Sequence, residues 1–125
     1  MRLLLDTNVF VRWMAGTPLP RRVERLLGKS GNETYISMVT VWEIVLKPKL
    51  NLTPPAVESG IAAMGAAILP IRFQHMDKLA ALPENGDHRD PFDRMLISQA
   101  LAEDLSIVSS DQRFGDYKNL RVIWN

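Results

Sequence analysis

The chain has 125 residues, 46% hydrophobic and 23% charged, with 15 Lys and Arg against 14 Asp and Glu for a formal net charge of +1. That length builds one hydrophobic core without disulfides or a structural metal and leaves no room for a second domain, so residues 1–125 are expected to form one unit. Residues 1–62 carry eight basic and five acidic side chains and residues 63–125 carry seven and nine, which excludes a polybasic coat; a nucleic acid would be gripped by a local patch or through a metal ion.

Leu3-Leu4-Leu5 is a short apolar run ending at Asp6-Thr7-Asn8, the pattern of a strand buried on both faces that opens into a polar loop. Three leucines are too few for a secretory segment, no apolar run approaches a membrane span, and the cytoplasm is the expected compartment. A helix is expected from Val9 to Ala15, broken by Gly16-Thr17-Pro18, and a second from Leu19 to Leu27 with Arg21, Arg22 and Arg25 outward. After a turn over Gly28 to Asn32, Tyr35-Ile36 forms a second strand. Ser37 caps a helix from Met38 to Lys47, which Pro48 closes. Pro54-Pro55 opens a helical stretch through Met64, Ala67 to Ile71 is a third strand, and His75 to Leu82 a short helix. The polar loop Glu84 to Arg89 leads to Asp90-Pro91, an N-cap and first helical position for a helix running to about Glu103. Leu105 to Val108 and Leu120 to Trp124 complete the strands. Strands alternating with helices predict an α/β fold, with a central parallel sheet of four to five strands flanked by helices on both faces and a binding site beyond the strands' carboxyl ends.

Acidic residues fall where apolar or neutral ones belong. Glu43 shares the stripe Val39, Trp42, Glu43, Leu46, spaced to face the core, and Asp93 heads the stripe Asp93, Leu96, Ile97, Ala100. Asp6 sits where the first strand leaves the sheet and Asp111 follows the Ile107-Val108 strand in the same way. Four carboxylates projecting toward one sheet edge repel one another, and a hard divalent cation, Mg2+ or Mn2+, resolves that repulsion. Each acid also has a structural alternative. Asp6 can cap a helix, Asp93 can favour a helix dipole, Asp111 can open a turn, and Glu43 can pair with Lys47. Zinc is disfavoured, because there is no cysteine and His75 and His88 lack ligand-like spacing; His88 is expected to be a solvated loop residue.

The segments Leu3-Leu4-Leu5-Asp6-Thr7-Asn8, Ile36-Ser37 with Trp42-Glu43-Ile44 and Lys47, His88-Arg89-Asp90-Pro91-Phe92-Asp93-Arg94 leading into Met95 to Ala100, and Ile107-Val108-Ser109-Ser110-Asp111 resemble PIN-domain ribonucleases, in particular VapC toxins of type II toxin–antitoxin pairs. The resemblance implies a PIN fold over nearly the whole chain and a metal-dependent endoribonuclease using metal-activated water. It puts Asp6 and Asp93 as principal metal ligands, Glu43 and Asp111 completing the charge, and Asn8, Ser37 and Ser109 orienting carboxylates or waters. The partners it implies are RNA, a homodimeric second copy, and a cognate antitoxin covering the acidic site.

Arg12, Lys47 and Arg94 are candidate RNA contacts, with Arg21, Arg22, Arg25 and Lys49 in reserve and Trp13 and Trp42 as candidate stacking platforms. An aspartyl-phosphate enzyme would carry an acidic residue two positions after Asp6, where this chain has the amide Asn8. The remaining rival is an inert domain of the same fold that binds RNA or protein without cutting. Such a domain would gain nothing from retaining four repelling acids.

Overall fold

The computed structural model describes every residue except Asp87, which belongs to the expected polar loop and lies outside the described residues. The leucine run forms β1 (Arg2–Leu5), the central strand, and all three leucines are fully buried. Alternate side chains of a strand point to opposite faces, so Leu3 and Leu5 enter one core and Leu4 the other. A continuous apolar run is what a strand covered on both sides requires.

The remaining strands are β2 (Glu33–Ser37), β3 (Ala67–Leu69), β4 (Ser106–Val108) and β5 (Val122–Ile123). They pair in the order β3-β2-β1-β4-β5, and every pairing is parallel. Chain order runs outward from β1 to β3 on one side and then resumes on the other at β4, so the ends of β1 and β4 flank the point where the winding reverses. Asp6 leaves β1 and Ser109 leaves β4 at that point.

The helices are α1 (Thr7–Met14), α2 (Arg21–Gly28), α3 (Met38–Val45), α4 (Pro54–Met64), α5 (Phe73–Ala81) and α6 (Pro91–Glu103). Val9 and Phe10 of α1, Val23 of α2, and Val57 and Ile61 of α4 fill the core on the Leu3 face. Met95, Leu96, Ile97 and Ala100 of α6 meet Leu4, Leu105 and Ile107 on the other, with Leu79 of α5 packed alongside. Among the described residues, no helix is long and apolar enough to cross a membrane.

Local signals explain the boundaries. Ser37 caps α3 by accepting from the Val39 N–H at 3.0 Å, and Pro48 keeps the helix from continuing into the short 3-10 turn Pro48–Leu50. The helix ends at Val45, two residues before the expected Lys47. Asp90 caps α6 by accepting from the N–H groups of Phe92 and Asp93, with Pro91 in the first turn. Helix α1 begins at Thr7, earlier than Val9, because the Asp6 carbonyl already accepts from the Val9 and Phe10 N–H groups. The stripe expected on α3 is only half right. Val39 and Glu43 face inward together with Thr40 and Ile44, whereas Trp42 and Leu46 are 56% and 58% exposed. Packed against α1, α4 and α6, the helix buries a face rotated from the expected one.

A buried polar strut ties α6 to the far half of the sheet. Ser37 Oγ donates to Gln99 Oε1, and Gln99 Nε2 donates to the Pro70 carbonyl at 3.2 Å and lies 3.3 Å from His75 Nδ1. His75 Nδ1 also accepts from the Arg72 N–H at the start of α5. Removing one member of such a network strands the others without partners. Gln99→Ala should therefore cost about 2–4 kcal/mol in urea unfolding, more than methyl-group loss alone, whereas Ser98→Ala on the same helix should cost under about 1.5 kcal/mol.

Candidate active site

At the reversal point, the cleft of about 130 Å³ is lined by Asp6, Thr7, Asn8, Glu43, Lys47, Asp90, Asp93, Asp111 and Arg113. The structure thus gathers all four acids singled out in the sequence, each from a different element. Asp6 comes from the end of β1, Glu43 from α3, Asp93 from the first turn of α6 and Asp111 from the loop after β4.

The four are held in different ways. Asp6 is 5% exposed and occupies the N-cap position of α1, yet its carboxylate makes no capping bond. It accepts instead from Ser109 Oγ at 2.8 Å, while Ser109 Oγ accepts from the Asp111 N–H at 3.0 Å, so one serine orients Asp6 and pins the backbone of Asp111. Glu43 is 6% exposed; its Oε2 accepts from Lys47 Nζ at 2.8 Å, and its Oε1 is buried with no hydrogen-bond partner among the described residues. Asp111 accepts from Arg113 Nη2 at 2.8 Å and Nε at 3.1 Å, and from the Arg113 N–H at 2.9 Å. Among the described residues the Asp93 carboxylate has one hydrogen-bond partner, with its Oδ2 3.2 Å from His88 Nε2.

These surroundings divide the acids electrostatically. Burial, followed by the charges of Asp90, Glu43 and Asp111, pushes the Asp93 carboxyl up to about 7. Burial pushes Asp6 up to about 6 against the opposing Ser109 bond, with Asp93 adding repulsion. Asp111 is held below its ordinary value, first by the Arg113 hydrogen bond. Lys47 is held above its ordinary value by its bond to Glu43.

Not every candidate is in place. Ser37 Oγ serves Gln99 and the α3 cap and meets no carboxylate, so the orienting role falls to Ser109 alone of the two serines. Asn8 lines the cleft, exposed. Lys47 lines it too, but Arg12 and Arg94 do not. Arg12 donates to the Pro18 carbonyl at 2.7 Å and stacks over Trp124, closing the loop after α1; Arg94 donates to the Leu82 and Pro83 carbonyls and to Tyr117 Oη. Trp13 packs on Phe10 at the edge of the core, while Trp42 lies exposed against Phe92 at the mouth of α6.

His88 departs furthest from expectation. It is 3% exposed, its ring set 5.5 Å from those of Phe114 and Tyr117, because the loop folds back through a bridge between Asn85 and His88. Burial lowers its pKa, helped by the Arg113 charge. One ligand atom from each of His88, Asp93 and Asp111 lies within 4.8 Å of the others. Arg113 was also missed; two residues beyond Asp111 in a polar stretch, nothing in its sequence context distinguishes it from a solvated arginine.

The sequence matches the PIN domain family over residues 3–120. The chain belongs to the PIN domain family. A search of curated proteins found none similar in sequence. Among solved structures, this PIN domain is similar to VapBC2 from Rickettsia felis bound to a DNA fragment from their promoter, with a TM-score of 0.71 at 20% identity over 100% of both chains. DNA-bound VapBC from Salmonella typhimurium gives a TM-score of 0.70 at 22% identity, covering 98% of this chain and 97% of that one. FitAcB from Neisseria gonorrhoeae gives 0.61 at 22% identity, covering 98% and 96%. At these identities the likeness establishes the shared fold.

Both raised carboxyls carry a stability consequence. Near pH 3.8 the unfolded chain begins to release protons that folded Asp6 and Asp93 retain to about 6 and 7. The folded state then binds more protons, so the stability of the metal-free protein falls as pH rises through that window. Asp93→Asn should stabilise the metal-free protein by about 1–2 kcal/mol at neutral pH and flatten the decline, as measured by urea unfolding across the window.

Proposed function

We propose that this PIN domain is a divalent-metal-dependent endoribonuclease of the VapC toxin type. The observation that carries this reading is the convergence of Asp6, Glu43, Asp93 and Asp111 from four elements on one small cleft at the carboxyl edge of a parallel sheet. Like charges at that density, two of them buried, are costly unless a cation joins them. The buried, unpartnered Oε1 of Glu43 is an acceptor that protein groups leave unsatisfied, and an all-oxygen donor set suits Mg2+ or Mn2+.

Asp6 and Asp93 would hold the ion, with Glu43 and Asp111 completing the negative shell. When bound, such an ion lowers the pKa of water and neutralises charge on a phosphate. The protein supplies the rest. Ser109 fixes the orientation of Asp6 through its 2.8 Å hydrogen bond. Raised affinities for protons at Asp6 and Asp93 mean that cation binding competes with protonation, so affinity for the ion falls below neutral pH. Lys47 and Arg113, at the cleft with Glu43 and Asp111, are the cationic groups placed to meet an RNA phosphate.

Partners follow from the same reading. The VapBC complexes among the structural neighbours support a cognate antitoxin, and a homodimer accords with the apolar side chains left in water at Trp42, Val45, Leu46 and Phe73. The cytoplasm is the compartment where such a toxin would meet cellular RNA.

Purified protein incubated with a mixed RNA panel should cut in Mn2+ and not in EDTA. Asp6→Asn and Asp93→Asn should each lower the rate by roughly 100-fold or more while keeping the fold by circular dichroism, and Ser109→Ala by about 10–100-fold. A variant lacking Asp93 that cuts at the wild-type rate would overturn the assignment. Protein that neither cuts nor gains thermal stability from Mn2+ would instead be an inert binding module.

A further inference from the structure

His88 is a buried titratable group at the acidic centre that the nuclease chemistry leaves without a task. Its protons can be counted from its neighbours. Arg94 is held by the carbonyls of Leu82, at 3.1 Å, and Pro83, at 3.0 Å, and its Nη1 lies 3.2 Å from Tyr117 Oη. A guanidinium only donates, so the Tyr117 oxygen is the acceptor of that bond. The hydroxyl proton then needs an acceptor of its own. Among the described residues the one within reach is His88 Nδ1, at 2.9 Å. An Nδ1 that accepts carries no hydrogen, which places the imidazole proton on Nε2, facing Asp93 Oδ2 at 3.2 Å.

We propose that His88 is a positioning residue of the acidic centre: as the Nε2–H tautomer set by Arg94 and Tyr117, it holds Oδ2 of Asp93 and leaves Oδ1 as the oxygen Asp93 offers to a divalent cation. The cation-facing part rests on the nuclease reading above. The tautomer rests on geometry alone. Were His88 itself a ligand through Nε2, the proton would move to Nδ1, and the Tyr117 hydroxyl would be left buried with two donors and no acceptor. Were both nitrogens protonated, the same hydroxyl would be stranded. The role matches a wider pattern in which a partner behind a ligating group fixes its orientation and leaves a single productive geometry. Arg94 thereby has a task, though not as a phosphate contact: it sets one end of a chain of donors that terminates on the metal-facing carboxylate.

The test is the ring-nitrogen NMR spectrum of the full-length, 15N-labelled protein, metal-free and then with Mg2+. The chain has only 2 histidines, and the resonances lost in His88→Gln identify those of His88. The expected pattern is a bare Nδ1 and a protonated Nε2 in both conditions. A protonated Nδ1 in the metal-free protein, or loss of the Nε2 proton when Mg2+ is added, overturns the proposal. Calorimetric titration with Mn2+ supplies the second readout. His88→Ala should weaken binding about 10–100-fold, and His88→Gln, which keeps an N–H donor at similar reach, should restore most of it. An alanine variant that binds as tightly as wild type, or a glutamine variant as weak as alanine, overturns the positioning role. Wild-type protein that binds no Mn2+ refutes the nuclease reading instead, and the metal-free spectrum then decides the tautomer independently.

Discussion

Four carboxylates held at one end of a parallel sheet are the constraint around which this molecule is organised. The switch in winding between β1 and β4 opens the crevice, and Asp6 and Asp111 follow from the strand ends there. Asp93 and Glu43 arrive on helices that pack across the sheet. The β1 leucines, buried on both faces, and the doubly bonded Asp90 cap hold these backbones in place regardless of what the carboxylates prefer. Core packing on both sheet faces thus opposes the mutual repulsion of the site, as expected where a functional arrangement is locally unfavourable.

The chain handles that repulsion by dividing it. Glu43 and Asp111 are bonded to resident cations, Lys47 and Arg113, while among the described residues the hydrogen-bond partners of Asp6 and Asp93 are Ser109 and His88. Arg113 holds the Asp111 carboxyl below its ordinary value, whereas burial pushes Asp6 and Asp93 toward protonation, the cheapest way for such a carboxylate to exist without a counter-ion. Arg113 is exposed and Asp111 partly so, which makes theirs a weakly stabilising pair that an entering phosphate or cation can break at small cost, whereas the Lys47 pair ends on a buried Glu43.

What the sequence reveals and conceals has a physical basis. Continuous apolar runs, prolines and caps act over a few residues, so β1, the Ser37 cap and the Asp90-Pro91 start of α6 were legible with their boundaries nearly intact. Acids interrupting apolar stripes were legible too, because an unpaired charge on a buried face demands a reason. The α3 stripe failed at Trp42 and Leu46, since helical periodicity specifies which residues share a face but not how far the helix is rotated against its neighbours. His88 and Arg113 lay beyond reach for a related reason. His88 acquires its partner through a loop that folds back, with no periodicity to mark the distance to Tyr117, while Arg113 meets Asp111 two residues away through a local turn that the pattern of charges does not specify.

The size of the cleft bears on what could occupy it. At about 130 Å³ it falls well below the roughly 300–1,000 Å³ of sites that enclose a small metabolite. Among the described residues its lining is charged or polar throughout, with no apolar surface on which a base could stack. A phosphate group and its counter-ions fit those dimensions and that polarity, whereas a whole nucleotide must extend beyond the rim. Under the proposed activity, the acidic centre therefore carries the chemistry and reads no sequence. Discrimination among RNAs then falls to groups outside the cleft. A charge-lined centre that reads no sequence leaves the surface around it free to vary without disturbing the electrostatic balance within.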